Sequence, residues 1–125
     1  MEQEEKEWEL NADNASKAQF SAFSKNHPRE YASLFANLDK INGLLDSGNK
    51  IGGFHVGFFR SEGGDVYRIG QTGVPSAQES RLYVFPDKEK RIMYVLGIGT
   101  KDTQDRDIND AKATVNRIRQ SRQDK

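Results

Sequence analysis

The chain has 125 residues, which suits one domain with a single hydrophobic core and no covalent staples. Hydrophobic residues make up 34%, charged residues 30% and aromatics 10%, a composition polar for a globular protein but too aromatic for wholesale disorder. With no cysteine, the chain has no disulfide, no thiolate metal ligand and no cysteine nucleophile. No apolar run approaches the roughly 18 residues that a membrane span needs. The acidic start is not that of a signal peptide, so a cytoplasmic location is expected.

The net charge is zero but unevenly spread. Glu2, Glu4, Glu5, Glu7 and Glu9 face one lysine in the first ten residues, and the remainder holds 18 basic and 14 acidic residues, a net of +4. From Arg81 onward there are 11 basic and seven acidic residues. The C-terminal third is therefore the part suited to a polyanion.

In chain order, residues 1–7 are expected to be disordered, and Trp8 to Asn11 to open a short strand. Asp13 or Asn14 caps a helix carrying Ala15, Ala18, Phe20, Ala22 and Phe23. Pro28 suits the first turn of a second helix, where Tyr31, Leu34, Phe35, Leu38, Ile41 and Leu45 recur at spacings of three and four. Gly48 is its expected left-handed cap. Alternation of Phe54, Val56 and Phe58 predicts a strand, with a turn at Ser61 to Gly64. Further strands are expected at Val66 to Gln71, Arg81 to Phe85 and Arg91 to Ile98, the last with apolar side chains on both faces. Thr103 or Asp105 caps a last helix with Ile108, Ala111, Val115 and Ile118 on one side. Its other side is basic, with Arg106, Lys112, Arg117, Arg119 and Arg122, and residues 120–125 are expected to be disordered.

The expected fold is one α+β domain over residues 1–125. Its N-terminal helical hairpin packs on a small antiparallel β-sheet, with the helices on one face and a C-terminal helix closing the chain. His27 and His55 lack metal-ligand spacing, and Gly97-Ile98-Gly99 is too short for a phosphate loop. Ser61, Ser76 and Ser80 have no nucleophile-elbow context. Asp102, Asp105, Asp107 and Asp110 fit the dipole of a helix start.

The run Arg81 to Phe85, the Asp87 to Lys90 connection, the apolar strand Ile92 to Gly99 and then Lys101 resemble RelE/ParE superfamily toxins of bacterial type II toxin–antitoxin modules. Phe23 to Gly48 is similar to that family's helical hairpin, and Val66 to Ile69 to its basic strand. The resemblance covers roughly Trp8 to Arg119. It implies a RelE-like toxin held by a cognate antitoxin. RelE-like members cleave messenger RNA in the ribosomal A site without a metal or other cofactor. The ribose 2′-OH attacks the adjacent phosphate, leaving a cyclic phosphate and a free 5′-OH. ParE-like members inhibit DNA gyrase, and an inactive interaction protein of the same fold is a third alternative.

Under that resemblance Arg81, Arg68 and Lys101 become catalytic candidates, since fixed cations stabilise the charge that builds on a five-coordinate phosphate. Arg60, Arg106 and Lys112 are candidate substrate-binding residues. The tyrosine or histidine–tyrosine pair that many RelE members carry near the last helix has no counterpart here. Asp107 falls near that position, and His55 is the candidate acid/base in its place. Phe54, Phe58 and Phe59, with the basic last helix, are an expected surface for an acidic antitoxin segment.

Overall fold

The computed structural model describes residues 7–53, 55–75 and 78–123. Strand β1 spans Glu9–Asn11, followed by helices α1, Lys17–Asn26, and α2, Pro28–Asp46. Strands β2, Phe59–Gly63, β3, Val66–Gly70, β4, Ser80–Asp87, and β5, Ile92–Thr100, follow. A 3₁₀ turn over Lys101–Thr103 leads into helix α3, Gln104–Gln123. The chain is thus α+β, with three helices and five strands among the described residues.

Local chemistry explains the hairpin's ends. The N-cap of α1 is Ser16, whose Oγ accepts from the Gln19 amide at 3.1 Å, so the cap falls two residues past Asn14. Pro28 occupies the first turn of α2. At its C-terminus Gly48 has φ of +94°, and its amide and that of Asn49 donate back to the Leu45 and Leu44 carbonyls. That pairing is a Schellman motif, which requires a residue at ease in the left-handed region.

The strand order is β1-β5-β4-β3-β2. The meander β2 to β5 is antiparallel, but β1 pairs parallel to β5, so the sheet is mixed rather than antiparallel as expected. No tight turn joins β1 to its neighbour in the sheet, so local turn chemistry does not set its direction. The second strand also differs from expectation. Residues 55–58 form loop and turn, β2 begins at Phe59, and Phe54 lies outside the described residues. The reversal falls on Gly64 and Asp65, with φ of +59° and +66°. Two consecutive positive angles are what a two-residue hairpin turn demands, so the reversal lies past the expected Ser61 to Gly64 turn, whose first three residues belong to β2.

Helices cover both faces of the sheet, not one. Leu34, Leu38 and Ile41 of α2 and Phe23 of α1 pack on Ile69, Leu82, Val84, Met93, Val95 and Ile98. Ala111 and Val115 of α3 pack on Val66, Tyr83, Phe85, Tyr94 and Leu96 from the other side. The cause is the apolar content of β4 and β5, buried along nearly their whole lengths. A sheet greasy on both faces needs a layer on each. Helix α3 also runs on to Gln123, through much of the segment expected to be disordered, while residues 1–6 and 124–125 lie outside the described residues. Among the described residues no helix is long and apolar enough to cross a membrane.

Candidate functional site

Alternation along β4 sends Leu82 and Val84 to the α1–α2 side and Arg81, Tyr83 and Phe85 to the α3 side. In the ladder Arg60 of β2 stands opposite Arg68 of β3, and Gly70 of β3 opposite Arg81. The β-sheet therefore gathers three arginines at one end, beneath the start of α3. They line an open cleft of about 320 Å³ together with Gln71, Glu79 and Ser80. Like charges directly opposite on paired strands repel, so this arrangement needs neutralising contacts.

Those contacts are present. Arg81 NH2 donates to Glu79 Oε1 at 3.2 Å and Arg81 Nε to Gln104 Oε1 at 2.6 Å. Arg68 NH1 donates to the same Gln104 oxygen at 3.2 Å, and its Nε pairs with Glu62 at 3.2 Å. Lys101 Nζ stands 3.7 Å from the second Glu79 oxygen. The hydrogen bond from Arg81, its charge and then that of Lys101 hold the Glu79 carboxyl below its usual range. Arg60 Nε donates to the Gly57 carbonyl at 3.4 Å. The loop that carries Glu79 is tied to α2. Asn37, buried, donates to the Gly70 carbonyl at 2.8 Å, Ser33 exchanges hydrogen bonds with Thr72, and Glu30 accepts from the Gln78 amide at 3.1 Å.

The start of α3 is docked closely on β5. Thr103 Oγ1 donates to Asp107 Oδ2 at 2.6 Å, and a Cβ added at Gly99 would overlap that carboxylate. Asp107 is buried, which pushes its carboxyl pKa up against the opposing pull of Thr103 and Arg106. The Tyr83 hydroxyl lies fully buried below, with no hydrogen-bond partner among the described residues. Burial, followed by the Asp107 charge, raises its pKa, so it stays a neutral phenol.

Arg60, Arg68 and Arg81 are thus brought together, and Lys101 joins them through Glu79. Arg81, expected as an exposed strand charge, has a side chain only 11% exposed. His55 lies exposed in the loop before β2 and does not line the cleft. Arg106 points outward from α3, 71% exposed, with Asp107 3.9 Å away. Lys112 lies over the β2–β3 turn, where its chain covers Gly63 and Gly64. Phe58 and Phe59, expected to be surplus to the core, pack against the α1–α2 core, and Phe59 stacks on Tyr67 at 4.8 Å. Gln104 and Glu79 escaped the sequence reading, because neither residue type signals anything before the fold sets Gln104 beside Arg68 and Arg81 and Glu79 between Arg81 and Lys101. A larger groove, about 790 Å³, lies beside Trp8, Leu45 and Ile51 and is also lined by Lys50, Lys88 and Arg91, but loop 48–53 forms much of its wall. Among the described residues no three His, Asp or Glu side chains are grouped to hold a metal ion.

The fold and cleft therefore define the class: among the described residues, a five-stranded mixed sheet covered by helices on both faces, with an arginine-lined cleft at one end. Compared with family models, curated proteins and solved structures, the chain matches none.

Proposed function

We propose that this protein is a RelE/ParE-like toxin whose arginine cleft binds the phosphodiester backbone of messenger RNA and promotes its cleavage at the ribosome. The observation that supports this reading is the convergence of Arg60, Arg68 and Arg81 on one cleft, with Lys101 at its edge. Guanidinium forks match phosphate oxygens, and donors fixed before the reaction stabilise charge that appears only in the transition state. In this reading Arg81 and Arg68 hold the scissile phosphate, Lys101 adds charge at the rim, and Arg60 contacts the neighbouring nucleotide. The 2′-OH loses its proton to solvent or to ribosomal groups, attacks phosphorus, and the P–O5′ bond breaks as the 5′ oxygen takes up a proton. A cognate antitoxin, acting in the same cytoplasm, would cover the cleft.

Primer extension on ribosome-bound message tests this. Arg81→Ala should slow cleavage by about 10²–10³, the usual value of one transition-state donor. Because Arg81 is mostly buried, Arg81→Lys is the companion variant. It keeps the charge and loses the fork, and it should also be slow. Cleavage unaffected by either change sinks the assignment.

One observation favours a second reading. His55 stands away from the cleft, so its described lining holds no group poised for acid/base work near neutrality. A ParE-like gyrase inhibitor, or an inactive interaction protein, needs no such group. Growth arrest with gyrase inhibited and message intact selects the former, and neither effect selects the latter.

A further inference from the structure

Two guanidiniums on neighbouring strands repel each other and do not converge unaided. Here a single carbonyl oxygen joins them: Gln104 Oε1 accepts from Arg81 Nε at 2.6 Å and from Arg68 NH1 at 3.2 Å. An amide oxygen supplies the negative end of a dipole and joins the two without adding charge of its own, while each arginine keeps a separate carboxylate, Glu62 on Arg68 and Glu79 on Arg81. Gln104 is also the first residue of α3, and its placement is rigid for a reason in the backbone. Gly99 leaves β5 with no Cβ where Asp107 and Thr103 sit, so the helix start closes directly onto the strand.

We propose that Gln104 is a positioning residue that fixes Arg68 and Arg81 as one two-pronged clamp for a single phosphodiester group. The inference rests on the reading of the cleft as a phosphodiester site and deepens it. A phosphodiester offers two non-bridging oxygens, and two guanidiniums held side by side meet both at once. Gln104 touches neither the ligand nor the reacting atoms. Its effect comes from sparing the ligand the entropy of ordering two long side chains.

The test is the affinity of the full chain for a short single-stranded RNA with every ribose 2′-O-methylated, so that binding is read without cleavage. Gln104→Met keeps length and packing and removes the acceptor. It should weaken binding about tenfold, the value of a hydrogen bond to a charged group expressed as affinity. In an Arg68→Ala background the same change should alter affinity less than twofold, because no pair remains to be held. A role in general stability would instead give equal losses in both backgrounds, and that result overturns the proposal. So does a Gln104→Met protein that binds like wild type while Arg68→Ala does not. If Gln104→Met does not fold, Gln104→Asn serves, since its oxygen is one methylene short of reaching both arginines. If Arg68→Ala and Arg81→Lys also bind like wild type, or if the wild type does not bind, the phosphodiester reading itself fails, and the clamp with it.

Discussion

Glu79 competes with any anion that enters the cleft. Its carboxylate spans Arg81 and Lys101 much as a phosphate would, and it is more than half exposed, so a ligand can displace it. Glu79→Gln should therefore strengthen binding of short RNA by roughly two- to fivefold, the range for an exposed ion pair. An unchanged or weakened affinity, read by fluorescence anisotropy at fixed salt, would show that Glu79 helps the ligand rather than opposing it. Asp107 carries a different signature. Burial raises its folded pKa above the unfolded value of 3.8, so between those two values the folded chain holds more proton than the unfolded one. Its contribution to stability falls as pH rises through that window and is recovered on acidification. Asp107→Asn should flatten this component of the pH dependence while keeping an acceptor for Thr103. Urea unfolding at pH 4.5 and pH 7, compared between the two proteins, checks the sign.

Helix α2 and the α3 start show how elements place the site. Leu38 is 1% exposed at the centre of the α1–α2 core, and Leu38→Ala should destabilise the protein by about 2–5 kcal/mol. A denaturation midpoint that does not move would mean the buried face is assigned wrongly. On the other side of the sheet, the Cβ of Gly99→Ala meets the Asp107 carboxylate and Thr103 Oγ1, and Asp107 is buried with little room to yield. We expect a loss of roughly 1–3 kcal/mol, as for other overpacked sites. Gln104 should move off the arginines, with RNA binding falling in parallel. Gly97→Ala is the control, since nothing lies within 4 Å of its added Cβ. Equal tolerance of both substitutions would contradict the tight docking of α3.

At the scale of the whole molecule, what could be read early was what short range determines. The spacing of Leu34, Leu38, Ile41 and Leu45 located the buried face of α2, and Pro28 and Gly48 marked its ends, because helix period and end chemistry are local. The turn before β3 was expected at Ser61 to Gly64 but falls on Gly64 and Asp65, since Gly63, Gly64 and Asp65 all have positive φ and sequence alone does not say which pair reverses the chain. The apolar residues on both sides of β5 were visible, yet the helix on the second face was not drawn from them. Arg68, Arg81 and Lys101 were singled out by resemblance and Arg60 as a substrate-binding candidate, but the acceptor that Arg68 and Arg81 share was not.

By itself the sequence determined the helices and the strands β1, β3, β4 and β5, though not β2, together with most of their ends, the α2 stripe and the identity of the cations, because hydrophobic period and capping act within a few residues. Only the tertiary structure decided that β1 runs parallel to β5, that α3 covers the opposite face, and that Gln104 lies 36 residues from Arg68 in sequence but 3.2 Å from it in space. The reason is that pairing direction, face and side-chain convergence depend on how distant segments close over a common core, and no local spacing encodes that closure.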